Sequence, residues 1–196
     1  MKSMSVFGAI CLTTFVCGCG ATPGQQLQAD VNEMRKEHTP EKLVERGRAF
    51  ASIGDYTRAE EYLTAALEAG APPRKVMPML LKVCISDNRF RSVIQHAEDY
   101  LNHYPDDVAT RFVFGTVLYA IGEFVRARVE LARVTTEQPQ IADAHFALAL
   151  ADKELGFHSE AERQFREYLK LAPRGAHAAE ANGGLMSTIS GEASVQ

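Results

Sequence analysis

Apolar and polar positions past residue 40 recur on a beat of 34 residues. Tyr56, Phe90, Phe124 and His158 form one column, and Ala59, Val93, Ala127 and Ala161 a second. Leu63, Ala97, Leu131 and Phe165 form a third, and Leu67, Leu101, Thr135 and Leu169 a fourth. Gly54, Asn88, Gly122 and Gly156 precede them at the same step, and Pro105, Pro139 and Pro173 follow, with Ala71 beside Pro72 one step earlier. The Gly/Asn column suits a left-handed residue that ends one helix and turns the chain. The proline column ends the next helix, because proline cannot continue the backbone ladder. The pattern therefore predicts four two-helix units at residues 40–73, 74–107, 108–141 and 142–175. An Ala-rich stretch at 174–186 reads as a further helix, with 176–186 capping the last unit, and 187–196 as a polar, disordered tail. Leu27, Val31 and Met34 are spaced for a short amphipathic helix before the array.

These columns resemble the tetratricopeptide repeat (TPR), a 34-residue helix–turn–helix unit. The resemblance implies an all-α, right-handed superhelical solenoid of about four repeats with a C-terminal capping helix. It assigns the aromatic column to plugging the gap between the two helices, and the Ala/Val column to their close approach. Departures are concentrated in two units. Gly47 and Phe50 are the usual small and bulky inward pair, but Leu81 and Cys84 replace them in the second unit and Ala149 and Asp152 in the fourth. Ala71-Pro72-Pro73 stiffens one turn, Pro78 is expected to kink or delay the following helix, and His158 is a poorer plug than an aromatic.

The N-terminus carries a different pattern. Lys2 is followed by an apolar run over residues 6–16, too short for a bilayer core that needs ~20 apolar residues. Val16-Cys17-Gly18-Cys19 resembles the bacterial lipoprotein box, with Cys17 a mild departure. The resemblance implies a leader over residues 1–18, and diacylglycerol on Cys19 followed by a tether and short helix over 19–39. Two or three acyl chains anchor stably where one does not. Gly20, where an Asp would favour inner-membrane retention, leans towards the outer membrane. The alternative is an ordinary cleaved secretory signal with Cys19 incidental.

Charge and composition narrow the function. The formal net charge is −4, which argues against a general nucleic-acid binder, and 46% hydrophobic with 23% charged residues is ordinary globular composition. Of the four cysteines, cleavage would remove Cys11 and Cys17 and acylation would occupy Cys19, leaving Cys84 as a core residue without a disulfide partner. No phosphate loop, nucleophile elbow, HExxH or zinc spacing occurs. His96 and His103 are seven apart, and read as two solvated residues on an outer helix. Asp106-Asp107 reads as a helix N-cap. No catalytic residue, metal or cofactor is expected.

The family lines its concave surface with the first helix of each unit. Here that gives Val44, Arg48, Ala51 and Ser52; then Lys75, Pro78, Lys82, Ile85 and Ser86; then Ala109, Phe112, Thr116, Tyr119 and Ala120; then Asp143, Phe146, Leu150, Lys153 and Glu154. Chaperone-cofactor members clamp a C-terminal carboxylate, but Val44, Met79, Ala109 and Val113 occupy the main clamp places, so that function does not carry over. The expected partner groove comprises Phe112, Thr116, Tyr119, Phe146 and Leu150 with basic Arg48, Lys75 and Lys82. It suits an amphipathic helix or extended apolar segment. The alternative is that some of these residues pack between units. Lipobox plus array is similar in layout to the pilotins of type IV pilus systems, which implies an envelope scaffold for a pilus, secretion or motility machine. A periplasmic holdase and an adaptor for cell-wall enzymes are the rival readings.

Overall fold

The computed structural model describes residues 39–192, with side chains to residue 185. The leader, Cys19, the tether and the helix expected at Leu27, Val31 and Met34 lie outside the described residues. Among the described residues nine helices follow one another and there is no strand. They are α1 (Pro40–Ser52), α2 (Tyr56–Glu68), α3 (Pro73–Ser86), α4 (Phe90–His103), α5 (Val108–Ala120), α6 (Phe124–Glu137), α7 (Ala142–Glu154), α8 (His158–Leu171) and α9 (Ala178–Glu192). None is long and apolar enough to cross a membrane.

The turns inside the units obey one rule. Gly54, Gly122 and Gly156 sit at φ +80°, +85° and +79°, and Asn88 at +56°, each the second residue after the end of the first helix of its unit. A side chain is disfavoured there, and Asn tolerates it better than most residues. The reversal lays the second helix back on the first. Asp55 and Asp107 then cap α2 and α5, accepting from the backbone N–H of Arg58 and Thr110 at 3.2 and 3.1 Å. Asp107 thus holds the expected capping role.

Each helix packs on the next, and the first helices α1 with α3 and α5 with α7 also touch, so that successive units stack. Ala59, Val93, Ala127 and Ala161 are wholly buried, as are Leu63, Ala97 and Leu131. Glycine brings two of the helix pairs closer still. A Cβ on Gly47 would lie 2.8 Å from Leu63 Cγ, and one on Gly115 would lie 2.8 Å from Leu131 Cγ. The three aromatics Tyr56, Phe90 and Phe124 are half-buried at the mouths of their helix pairs, whereas His158 is exposed.

Two boundaries differ from expectation. α3 starts at Pro73 and runs unbroken through Pro78, so its start is not delayed. Proline suits the first helical position, and exposed Pro78 deprives only the Arg74 carbonyl of its donor. The last helix begins at Ala178 and continues to Glu192, taking in residues 187–192 of the expected tail. The apolar spacing of Leu185 and Ile189 extends the helical pattern past Met186.

Candidate functional site

The first helices of successive units build a common face, and two adjoining cavities open on it. One of about 220 Å³ lies between α3 and α5, lined by Pro78, Leu81, Lys82, Ile85, Ser86, Ala109, Thr110 and Val113. The other, of about 480 Å³, lies between α1 and α3, lined by Arg48, Ala51, Ser52, Tyr56, Pro78, Met79, Lys82, Val83 and Ser86. Pro78, Lys82 and Ser86 border both, so the pair forms one trough over the first three units. Met79, Ala109 and Val113, three of the carboxylate-clamp places, are apolar walls of this trough. Arg48 and Lys82 stand exposed at it and pair with no carboxylate among the described residues. Concave, mostly apolar sites with a few charged groups are the usual form of a binding site.

The aromatic strip expected in the C-terminal half is organised differently. Phe146 is 6% exposed and belongs to the interior. Its ring stacks on His177 at 4.2 Å and tilts against Tyr168 at 5.4 Å and Phe165 at 5.9 Å, so it plugs the fourth unit against the segment leading into α9. Leu150 is half-buried in the same cluster. Phe112 is half-buried and packs with Val108, Val134 and Ala144, which ties the third unit to the fourth. Tyr119 tilts on Phe124 at 5.5 Å. Burial raises the Tyr119 phenol above its usual range, and the carboxylates of Glu154 and Glu180 add to that. The Thr116 hydroxyl donates to the Val113 carbonyl at 2.8 Å. Lys75 is exposed but lines neither cavity of the trough. Of the expected groove residues, Arg48 and Lys82 are therefore the two that meet at an open cavity.

Sequence reading missed the polar seams between units. Glu60 of α2 accepts from Arg89 and faces His96 of α4 at 2.9 Å, with Cys84 of α3 beside it. Burial would raise the Glu60 carboxyl, but the His96 hydrogen bond and the Arg89 charge outweigh it and hold it below its ordinary value. Burial, with the Glu60 carboxylate beside it, pushes the Cys84 thiol up to about 12, so the thiolate is disfavoured there. His96 is thus not the solvated residue expected, whereas His103 is exposed and bonded to its own helix at the Asp99 carbonyl, 2.8 Å away. Two units on, Arg128 Nε donates to the buried Asp152 carboxylate at 2.5 Å. Burial raises Asp152 above the usual carboxylate range, and Arg128 only partly offsets that. The offset is 24 residues in both pairs, Glu60 with Cys84 and Arg128 with Asp152. That offset between the second helix of one unit and the first of the next is the signal that could have found them.

No family model matches the chain, and no curated protein does. Solved structures do. YrrB, described as a TPR protein with an unusual peptide-binding site, is 19% identical at TM-score 0.65, covering 81% of this chain and 88% of its own. A structure of MamA is 18% identical at TM-score 0.67, covering 78% and 87%. A tetratricopeptide-repeat protein from Parabacteroides merdae ATCC 43184 is 19% identical at TM-score 0.70, covering 78% and 60%. At such identity the likeness speaks for the fold. The paired helices, the 34-residue step and these neighbours together make the described chain an all-α helical-repeat solenoid with the fold of tetratricopeptide-repeat proteins.

Proposed function

We propose that this protein is a non-catalytic scaffold that binds a protein segment in the trough of its first three units. The observation that carries this reading is the apolar trough itself, walled by Met79, Leu81, Ala109 and Val113 and flanked by unpaired Arg48 and Lys82. Such a site fits an apolar or amphipathic segment with a neighbouring carboxylate. It does not fit a bare C-terminal carboxylate, because the clamp positions are hydrocarbon. That YrrB is described as peptide-binding supports the reading. The box at Cys19 supports membrane attachment, and with it a place in the cell envelope, at the outer membrane on the strength of Gly20. The scaffold would then hold one component of an envelope assembly near the bilayer.

Filling the trough tests the binding reading. Ala109 is exposed at the cavity, so Ala109→Phe occupies it without entering the core. The variant should lose partner capture and keep its melting temperature, and Lys82→Glu should change the salt dependence of binding. A photo-crosslinker at Ser86 should trap one stoichiometric protein in cells. Many substoichiometric clients would instead favour a holdase. Cys19→Ser should abolish fatty-acid labelling, and label persisting on the variant would remove the anchor from the scheme.

A further inference from the structure

The first inter-unit seam carries a donor set that the later seams lack. Glu60, Cys84 and His96 occupy the register that Ile94, Leu118 and Glu130 fill one unit on, and Arg128, Asp152 and Gln164 two units on. The second seam is thus apolar at its first two places, and the third is an ion pair. The first brings together a carboxylate, a thiol and an imidazole, one ligand atom of each lying within 4.8 Å of the others. We propose that Glu60, Cys84 and His96 form a binding site for one zinc-class divalent ion.

The geometry is close to what such an ion needs. Zinc holds sulfur, nitrogen and oxygen ligands at roughly 2.0–2.3 Å in a tetrahedron, which sets ligand atoms about 3.3–3.8 Å apart. His96 Nε2 and Glu60 Oε1, 2.9 Å apart, would open slightly, while the Cys84 sulfur, within 4.8 Å of a ligand atom of each, would draw in by at most about 1 Å to seat an ion. The mixed set of thiolate, imidazole and carboxylate selects a borderline-soft ion over magnesium or calcium. Cys84 is fixed in the core, while the side chains of Glu60 and His96 are 14% and 21% exposed, so the ion and a fourth, water ligand reach the site from their side.

Arg89 orients the site rather than blocking it. Its Nη1 takes Glu60 Oε2, whereas His96 faces Oε1, and Oε1 is the oxygen left for the ion. Its Nη2 is tied to the Tyr56 carbonyl at 3.0 Å and its Nε approaches Asp87 at 2.9 Å. A second partner of this kind commonly orients a ligating carboxylate. The carboxylates of Glu60 and Asp87 against one guanidinium leave a single negative charge in excess. On binding, the Cys84 S–H proton passes to solvent, a metal–sulfur bond forms, and the cluster becomes neutral. The ligands come from α2, α3 and α4, so the ion would staple the first unit to the second.

The test titrates zinc, and cobalt as its spectroscopic substitute, into the chelator-stripped full chain. The proposal expects one equivalent of zinc, a thiolate-to-cobalt charge-transfer band, and a melting temperature that rises with zinc. Cys84→Ser should abolish the band. Glu60→Gln and His96→Gln should each weaken zinc binding by about tenfold or more, while His103→Gln leaves it unchanged. The Glu60 and His96 variants keep the core cysteine, so they decide the matter if Cys84→Ser does not fold. Absence of stoichiometric zinc, absence of the cobalt–thiolate band, or uptake indifferent to Glu60→Gln and His96→Gln would each overturn the site.

Discussion

Arg111 and His145, one repeat apart, do the same job with different chemistry. Arg111 donates to the Pro105 carbonyl at 2.6 Å and to Glu130 at 2.5 Å. His145 reaches the Pro139 carbonyl at 2.9 Å and Gln164 at 2.7 Å. Each buried side chain ties the carbonyl of the proline that ends one unit to the second helix of the next. Leu43 and Met77 hold this column in the first two units and are buried as hydrocarbon.

Removing half of the Arg111 pair should cost far more than replacing all of it. Arg111→Ala leaves Glu130 with a stranded charge and the Pro105 carbonyl without its donor, at a cost of about 3 kcal/mol. Arg111→Met with Glu130→Leu removes both charges and keeps the methionine that Met77 places in this column, and should fall within about 1 kcal/mol of wild type. Denaturant unfolding of both variants checks the contrast. Equal losses would mean that the ion pair itself, not the stranded partner, carries the stability.

The third seam makes a related forecast. Asp152 is buried and raised in pKa, whereas Arg128 is partly exposed. Arg128→Ile alone should cost about 3 kcal/mol by leaving Asp152 unpaired. Arg128→Ile with Asp152→Leu copies Ile94 and Leu118 of the second seam, and should melt at or above the wild-type temperature. A double variant less stable than Arg128→Ile alone would contradict the seam register.

Gly115 is where two helices meet with no room for a methyl group. The nearest obstacle to a Cβ is Leu131 Cγ, a branch point that cannot swing aside as a chain end can. Gly115→Ala gains helix propensity on paper, yet should destabilise by about 1–3 kcal/mol through overpacking. Thermal melting followed by helical circular dichroism reads this directly. A stabilised variant would show that α5 and α6 can separate freely.

Asp107 should make the fold sensitive to acid. Burial would raise its carboxyl, but the Tyr100 hydroxyl, donating at 2.6 Å, and the Thr110 backbone N–H outweigh that and hold it below the usual range. Folding therefore favours the ionised form. Its contribution is complete above the unfolded-state value of about 4 and is lost as pH falls through the lower folded value. Asp107→Ala should cost about 1–2 kcal/mol at neutral pH. The gap between wild type and variant should narrow as pH drops through this range. A gap independent of pH between neutrality and strong acid would disprove the role.

The linear sequence determined the repeat, because its main requirements are local. A left-handed turn needs Gly or Asn, a helix end suits Pro, and a close helix pair needs Ala or Gly at one spacing. Each of these leaves its mark within a single 34-residue unit, so Gly54, Ala127 and Pro139 could be assigned their work from spacing alone. Cys84 was legible as a core residue for the same reason. Contacts between units were another matter. Whether Phe146 lines a groove or stacks on His177 depends on how the last unit meets the segment leading into α9, and both outcomes satisfy the same helical period. The trough at Pro78 and Lys82 is bordered by Ala51 of α1 on one side and Ala109 of α5 on the other, so it spans three helices, a spatial fact without a local signature. Glu60, Cys84 and His96 likewise lie on three successive helices, and only their stacking brings the ligand atoms together. Short-range backbone rules wrote the solenoid into the sequence. Side-chain packing between elements distant along the chain decided where its open surface and its polar seams would be.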